Sequence, residues 1–564
     1  MPKPISNPAQ LAQSVGEALA LHRQGRLNEA EKLYTRVLKA QRDHFDALHL
    51  LGVLNQQRGK AGEAYRLIGA ALKVDPRSAD ALSNLALALH ALKRDDEALA
   101  SLGKALALSP GHPDAHNNRG SILLDLKRPA EAMADFDAVL SRAPRHLQAR
   151  INRGNALAAL GQNERALADY DLALAAAPGH PLAHYNRGNT LRALGREREA
   201  IADYDRALAA VPDHVNAWLN RGMALAGLNR HADALASYDK ALSLDAGNAD
   251  AHFNAALSLL TLGDYRRGFA EYEWRWKRTG MGGARSLRQP LWLGASALSG
   301  KTVLLHAEQG LGDTVQFARY APQLSRAGAS VVLEVQPELK PLLAGIEGVD
   351  AVLARGEPLP PFDLHCPLAS LPLACKTEIA GVPADIPYLR APEDRVARWR
   401  PRLEALEPPR VALAWSGRAS HANDRNRSIA LSQLAPLLDL PGLRFVGVQR
   451  ELRAGEAEAL AGDDRILHLG DELSDFADTA AVLALVDLVV CVDTSVAHVA
   501  GALGRPTVVL LPFQPDWRWL ADGERSPWYP AVRLYRQRAI GDWAGVIARL
   551  RADLAAGTLP PGGP

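Results

Sequence analysis

The sequence predicts a helical solenoid over its first half and an α/β region built on two parallel sheets over its second. Three observations carry this. Residues recur with a 34-residue period as far as about residue 282. The period stops at a glycine-rich stretch, and beyond it short apolar runs alternate with helical patterns.

Bulk properties narrow the function classes. The 564 residues give room for several domains, each with its own core. With 65 Lys and Arg against 63 Asp and Glu, and no basic block, no nucleic-acid partner is expected. Cys366, Cys375 and Cys491 fit neither a zinc spacing nor a disulfide framework, which suits a reducing compartment. No apolar run reaches membrane-spanning length and the first residues lack a signal-peptide core, so a cytoplasmic protein without a transmembrane segment is expected.

Four columns define the repeat. Gly52, Gly120, Gly154, Gly188 and Gly222 share one phase, with Ala86 and Ala256 in the same slot. Pro76, Pro110, Pro144, Pro178 and Pro212 form a second, and Ala30, Ala64, Ala98, Ala132, Ala166, Ala200 and Ala234 a third. Phe136, Tyr170, Tyr204, Tyr238 and Tyr272 form the fourth. Small residues let two antiparallel helices approach, the aromatic is expected to pack between repeats, and proline ends the second helix. Eight units over residues 11–282 follow, the first and last degenerate as caps.

A fifth column, Asn84, Asn118, Asn152, Asn186, Asn220 and Asn254, falls mid-way along the first helix of its unit. Asparagine inside a helix costs up to ~0.7 kcal/mol relative to alanine. Its amide offers a donor and an acceptor, the pair that holds an extended peptide backbone. The alternative is that duplication carried one asparagine along and that it bonds across neighbouring helices. The Asp-x-Asp triplets Asp135–Asp137, Asp169–Asp171 and Asp203–Asp205 sit at equal phase on second helices. They read as solenoid surface, and no metal site is expected.

Residues 283–299 read as a linker, with Tyr272, Trp274, Trp276 and Trp292 packing at the junction. The runs TVLLHAEQ, SVVLEVQ, VDAVLA and FDLHCPL predict strands of one parallel sheet within residues 300–398. VALAWS, LRFVGVQ, RILHL, VDLVVCV, TVVLL and VRLYR predict a second within 409–556. Two Rossmann-like halves in tandem result. The last helix, DWAGVIARLRADLAA, is expected to cross back onto the first half, and the tail 557–564 to be disordered.

The densest signal for chemistry is residues 486–512. The run from Val486 to Val492 is a strand apolar on both faces, and Asp493, Thr494 and Ser495 open the helix that follows. A helix N-terminus beyond the C-terminal end of a parallel strand presents free N–H groups and a positive dipole end to phosphate. The alternative is an ordinary βαβ unit with Asp493 as its cap. The loop SGRASHANDRNRS after VALAWS adds Ser416 and Gly417 at a strand end, and the cations Arg418, Arg425 and Arg427. Guanidinium forks suit diphosphate oxygens; a solvated surface loop is the alternative. His498 lies one turn from Thr494, as a ligand contact or as a packed histidine.

The repeats resemble the tetratricopeptide repeat in period and in all four columns. GLGDTVQFARYAPQL (310–324) and DTSVAHVAGALGRPTVVLL (493–511) resemble glycosyltransferase family 9, the heptosyltransferase-like group. The resemblance implies a GT-B-type architecture, with a nucleotide-sugar donor held by the second half and the acceptor facing the first. It implies inverting, metal-independent transfer with the nucleotide sugar as co-substrate and no resident cofactor. Asp313 then resembles the general base that takes the acceptor's proton, with capping of its own helix as the alternative. Gly310 and Gly312 allow close backbone approach on the acceptor side, where His365 and Ser370 are further candidates. The donor set is Ser416, Gly417, Arg425, Arg427, Asp493, Thr494, Ser495 and His498. Two departures stand out: the family's loop lysine is absent, and residues 510–530 gather Phe513, Trp517, Trp519, Trp528 and Tyr529, either as a stacking surface beside the donor or as packing against the solenoid. The asparagine column is similar to the ladder of the eukaryotic nucleocytoplasmic O-GlcNAc transferase, which implies a polypeptide Ser or Thr acceptor. A lipid-linked or surface glycan acceptor, or a non-catalytic scaffold, are the alternatives.

Overall fold

The computed structural model describes residues 7–280, 285–420 and 423–558. The start of the 283–299 linker and most of the 557–564 tail therefore lie outside the described residues. The chain forms two compact units, Met1–Asn220 and Arg221–Pro564.

The first unit is helical throughout, from Pro8–Arg23 onward, in antiparallel pairs joined by short turns. Its packing rule is visible at each glycine of the first column. A Cβ at Gly120, Gly154 or Gly188 would lie 2.6, 2.6 or 2.8 Å from the ring of Phe136, Tyr170 or Tyr204. The aromatic thus sits on the glycine of its own repeat rather than between repeats, because only a bare backbone leaves room for the ring. A sixth column caps the first helices: the rings of His112, His146, His180 and His214 accept the N–H of the residue three positions on, at 3.1–3.3 Å.

This rule decides the sign of two substitutions. Gly154→Ala gains up to ~1 kcal/mol of helix propensity but meets a ring that is buried and bonded through its hydroxyl to Asn155 at 2.7 Å. Overpacking of about 1–3 kcal/mol wins, and chemical denaturation should show a net loss. Gly103→Ala, where a Cβ meets nothing within 4 Å, should show a gain of about 0.5–1 kcal/mol.

The second unit begins with the last repeats, including the helices His231–Leu244, Ala249–Thr261 and Tyr265–Tyr272, and a 3-10 turn Glu273–Lys277. Among the described residues ten strands follow: β1 Thr302–His306, β2 Ser330–Val335, β3 Ala351–Ala354, β4 Leu364–Pro367, β5 Arg410–Ala414, β6 Arg444–Gly447, β7 Ile466–His468, β8 Leu488–Val492, β9 Thr507–Leu511 and β10 Val532–Arg536. They make two sheets, ordered β3-β2-β1-β4 and β10-β9-β8-β5-β6-β7, and the pairs within both are parallel. The amino-terminal half of the chain is a helical solenoid and the carboxy-terminal half an α/β domain with parallel sheets, consistent with a GT-B-like fold.

One expectation is corrected. The terminal helix Trp543–Ala555 buries Trp543, Val546, Ile547 and Leu550 in the core of the second sheet and does not brace the first. The helical stretch after Gly310 breaks at Arg319–Tyr320 into Leu311–Ala318 and Ala321–Arg326. Arg319 is buried there, donating to the Trp528 carbonyl at 2.7 Å.

The aromatic stretch of 510–530 divides its work. Trp517 and Trp528 pack on the last repeat: Trp528 Nε1 donates to the Tyr265 hydroxyl at 3.0 Å, and Trp517 lies edge-on to Tyr265 and Phe269. Asn229 donates to the Phe513 carbonyl, and Ala521 N–H to the Thr261 carbonyl. The Tyr272 hydroxyl meets the Gln309 amide at 2.8 Å, and Trp274 stacks on His252 at 3.7 Å. Among the described residues no helix is long and apolar enough to cross a membrane.

Candidate active site

β5 and β8 are neighbours, with Ala414 opposite Cys491, so their C-terminal ends place Ser416–Gly417 beside Asp493–Thr494. The loop after β5 folds back, Ile429 N–H bonding the Trp415 carbonyl at 2.8 Å. This turns Arg427 inward. Its Nη1 donates to the Asp493 carbonyl at 3.0 Å, and its guanidinium occupies the space over Gly417, where a Cβ would lie 2.5 Å from Nη2. Gly417 N–H is held by Ser428 Oγ at 3.0 Å, and Arg453 donates to the Gly417 carbonyl at 2.8 Å. Arg425 and Arg418 are exposed, so Arg427 is the arginine of this loop that the structure brings to the strand ends.

Three buried polar atoms at this place have no hydrogen-bond partner among the described residues: Ser416 Oγ, Arg427 Nε and Thr494 Oγ1. Leaving such a group unmade costs about 1–3 kcal/mol each, so a cluster of them can bond a polar ligand. Thr494, not Asp493, is the cap position of the helix Ser495–Ala502, and its side chain makes no capping bond. Two hydroxyls, a guanidinium and a helix N-terminus form a set suited to an anion such as phosphate.

Asp493 beside them is half-buried, and burial, with the nearby Asp516 carboxylate, pushes its pKa up to about 6. A carboxyl whose folded pKa is raised stabilises the fold while protonated and loses that contribution as pH rises through the folded value. The unliganded protein should therefore lose on the order of 1–3 kcal/mol between pH 4 and pH 7 from this group. Asp493→Asn should be more stable than wild type at pH 8, with the difference shrinking at pH 5, in urea unfolding at both values.

The first half meets this site through one loop. Asp313 is the third residue of the helix Leu311–Ala318, and its Oδ2 accepts the Gly310 N–H at 2.8 Å, so the capping role is realised. Its other oxygen, Oδ1, pairs with Arg518, from the turn after β9. A Cβ at Gly312 would lie 2.7 Å from the His498 ring and 3.5 Å from Ser495 Cα. The two helix N-termini thus touch, and glycine is what permits it. Gly310, Gly312 and Asp313 come together with Ser495 and His498.

Other candidates are engaged in packing. His498 is buried, bonds the Tyr529 hydroxyl at 2.9 Å and stacks on Trp519. Burial, with Arg518 and Arg319 adding to it, holds its pKa well below the usual range, which favours the neutral ring. His365 faces His306 at 3.2 Å, and burial with His365 and nearby arginines pushes His306 down to about 3. Ser370 is fully buried, donating to Glu273 at 2.8 Å and accepting from Arg275 at 2.7 Å. The residues given no site role from sequence are Arg453, which ties down the loop after β5, Asp516 and Arg518, which stand within the aromatic stretch, and Glu308. Burial pushes the Glu308 carboxyl up to about 7 against the pull of Arg275.

Comparison with known proteins bears on both halves. A tetratricopeptide repeat family model matches residues 96–144, 117–181 and 185–249, and one for anaphase-promoting complex subunit 3 matches 23–105. The model of glycosyltransferase family 9 (heptosyltransferase) matches residues 457–516. The chain joins tetratricopeptide repeats to a segment that matches glycosyltransferase family 9. That segment contains Asp493, Thr494, Ser495 and His498; Asp313 and the 416–427 loop lie before it. Protein FlbA of Caulobacter vibrioides is 28% identical over 284 residues, 46% of this chain and 47% of FlbA, so the match spans about half the length of that relative. Solved structures resemble the repeats. A tetratricopeptide repeat protein from Parabacteroides merdae has 19% identity and a TM-score of 0.36, over 44% of this chain and 98% of its own. The type IV pilus biogenesis factor PilW has 27% and 0.34, over 35% and 92%. The Cut9–Hcn1 hetero-tetramer has 16% and 0.41, over 48% and 53%.

In the tetratricopeptide array the asparagine column bonds along the solenoid. Asn118 Nδ2 donates to Ser83 at 3.0 Å, Asn152 to Asn117 at 3.1 Å, Asn186 to Asn155 at 2.9 Å and Asn220 to Asn189 at 2.8 Å, each on the preceding repeat. Asn84 meets His49 at 2.9 Å, and Asn254 donates to its own helix at Asp250. Five of the six amide nitrogens thus bond a neighbouring helix, and that of Asn254 bonds its own. The Asp-x-Asp triplets are also corrected: the first aspartates, Asp135, Asp169 and Asp203, are buried rather than surface, paired with Arg119, Arg153 and Arg187 at 2.7 Å. Arg153 and Arg187 also reach Asp137 and Asp171 of the preceding repeat. Among the described residues no acidic, histidine or cysteine cluster suits a metal ion.

Proposed function

We propose that this protein is an inverting glycosyltransferase that moves a sugar from a nucleoside-diphosphate sugar to a hydroxyl. The carrying observation is the group of unpartnered atoms Ser416 Oγ, Arg427 Nε and Thr494 Oγ1 at a helix N-terminus that touches the Asp313 loop. In this reading the diphosphate lies on Thr494, the Ser495 N–H and Arg427. Asp313 takes the proton of the acceptor hydroxyl as its oxygen bonds the anomeric carbon, while the bond to phosphate breaks and the diphosphate leaves with the electron pair. Charge on the leaving group is met by Arg427 and the helix dipole, so the step needs no metal. Nucleotide sugars as co-substrates fit a cytoplasmic setting.

The acceptor in the first reading is a polypeptide Ser or Thr presented by the solenoid, as protein-binding repeats suggest. The inter-helix bonding of the asparagine amides favours a second reading. There the acceptor is a lipid-linked or surface glycan and the solenoid recruits a protein partner. Replacing Asn152, Asn186 and Asn220 by alanine separates them: weaker peptide binding with donor hydrolysis intact supports the first.

The test of the function itself is thermal unfolding of the full chain with nucleotides and nucleotide sugars. A ligand at one hundred times its Kd should stabilise by about 2.7 kcal/mol. A shift confined to one nucleotide family, followed by sugar transfer from that donor, is the expected result. No shift with any of them in folded protein would leave a non-catalytic scaffold as the better reading.

A further inference from the structure

Arg518 has no part in the reaction as described, yet its side chain is heavily engaged beside it. It is 7% exposed, and its guanidinium serves acceptors on both halves of the α/β domain. Nη1 donates to Asp516 Oδ1 at 2.8 Å within its own turn. Nε donates to Gln316 Oε1 at 2.6 Å, and Nη2 to Asp313 Oδ1, both on the helix Leu311–Ala318. The plane lies 4.3 Å over the Trp517 ring, which is itself packed on the last repeat. The turn is fixed by Arg518 N–H on Asp516 Oδ1 at 3.0 Å.

Asp313 is consequently held at both oxygens, one by the Gly310 N–H and one by an arginine whose own position is set on three sides. What this contact supplies is orientation, where a misplacement of about 1 Å can cost ~10²-fold in rate.

We infer that Arg518 is a positioning residue for Asp313, fixing the carboxylate between the two halves so that an acceptor hydroxyl meets it in one geometry. The inference rests on the proposed transferase reading. In the step itself the proton passes from the acceptor hydroxyl to Asp313, the new carbon–oxygen bond forms and the sugar–phosphate bond breaks. Arg518 exchanges neither proton nor electrons. Lysine cannot replace it, because a point charge cannot reach Gln316, Asp516 and Asp313 together.

Arg518→Ala in the full chain should lower kcat about 30- to 100-fold, with KM for donor and acceptor within threefold. Arg518→Lys should regain less than threefold of that loss. Combined with Asp313→Asn, Arg518→Ala should slow the enzyme no further than Asp313→Asn alone. The same four proteins in urea unfolding should show coupling: the midpoint lost through Arg518→Ala is at least halved when Asp313 is already asparagine. A tenfold rise in donor KM at unchanged kcat, or additive losses in both cycles, would overturn the inference. The unfolding cycle needs no turnover. A wild type that transfers no sugar from any donor overturns the functional reading and the positioning role together, while the cycle still registers the ion pair; an active wild type with uncoupled residues overturns this inference alone.

Discussion

Asp313→Asn is expected to lower kcat by about 10²–10⁴-fold while leaving donor affinity within about threefold. The substitution keeps the shape of the side chain, and an amide oxygen still accepts the Gly310 N–H that caps the helix. What it removes is the lone pair that receives the acceptor's proton. Because Asp313 belongs to the first half and the unpartnered Ser416, Arg427 and Thr494 to the second, donor binding should survive the change. Steady-state transfer with donor binding by calorimetry checks both halves of this statement. Unchanged kcat would remove Asp313 from the base role and leave it as a cap.

The converse result is expected at Arg427. Arg427→Ala should weaken donor binding by about 100-fold, since a charge-assisted bond to a phosphate is worth about 1.5–3 kcal/mol and each ~1.4 kcal/mol is tenfold. Its guanidinium already has one N–H on the Asp493 carbonyl and an unpartnered Nε in a buried place. Gly417→Ala offers a second route to the same outcome without deleting the charge: a Cβ there would sit 2.5 Å from Nη2 and must displace the arginine. Donor affinity measured for both variants at two salt concentrations should fall in parallel. Wild-type affinity in both would move the diphosphate away from this loop.

How far these residues could be read in advance follows from the range of the forces that place them. Columns repeating every 34 residues are local patterns multiplied, so the solenoid and its glycine and aromatic slots are plain in the chain. The direction of the ring, onto Gly154 or Gly188 of the same repeat, is not, because it depends on the crossing of two helices. Parallel strands buried on both faces read as apolar runs, and β8 and β9 fall where those runs lie. Thr494, Ser495 and Asp313 are visible because strand ends and helix starts are sequence features. Arg518 is not: its meaning comes from Gln316 and Asp313, about two hundred residues away, and its neighbours Trp517 and Trp519 mask it as packing. His498 and Ser370 read as ligands from their chemistry; in the structure His498 Nδ1 bonds Tyr529, and Ser370 bonds Glu273 and Arg275.

The bonds that tie the last repeats to the α/β sheets, Trp528 to Tyr265, Asn229 to Phe513 and Ala521 to Thr261, set where this chain can be lengthened. Units that contact only their neighbours can be gained or lost by duplication with little cost elsewhere. Those beyond residue 221 cannot, because they also form part of the wall of another domain. Variation in repeat number is therefore confined to the amino-terminal side. There the span of the array is adjustable in steps of one unit, without any change to the α/β sheets.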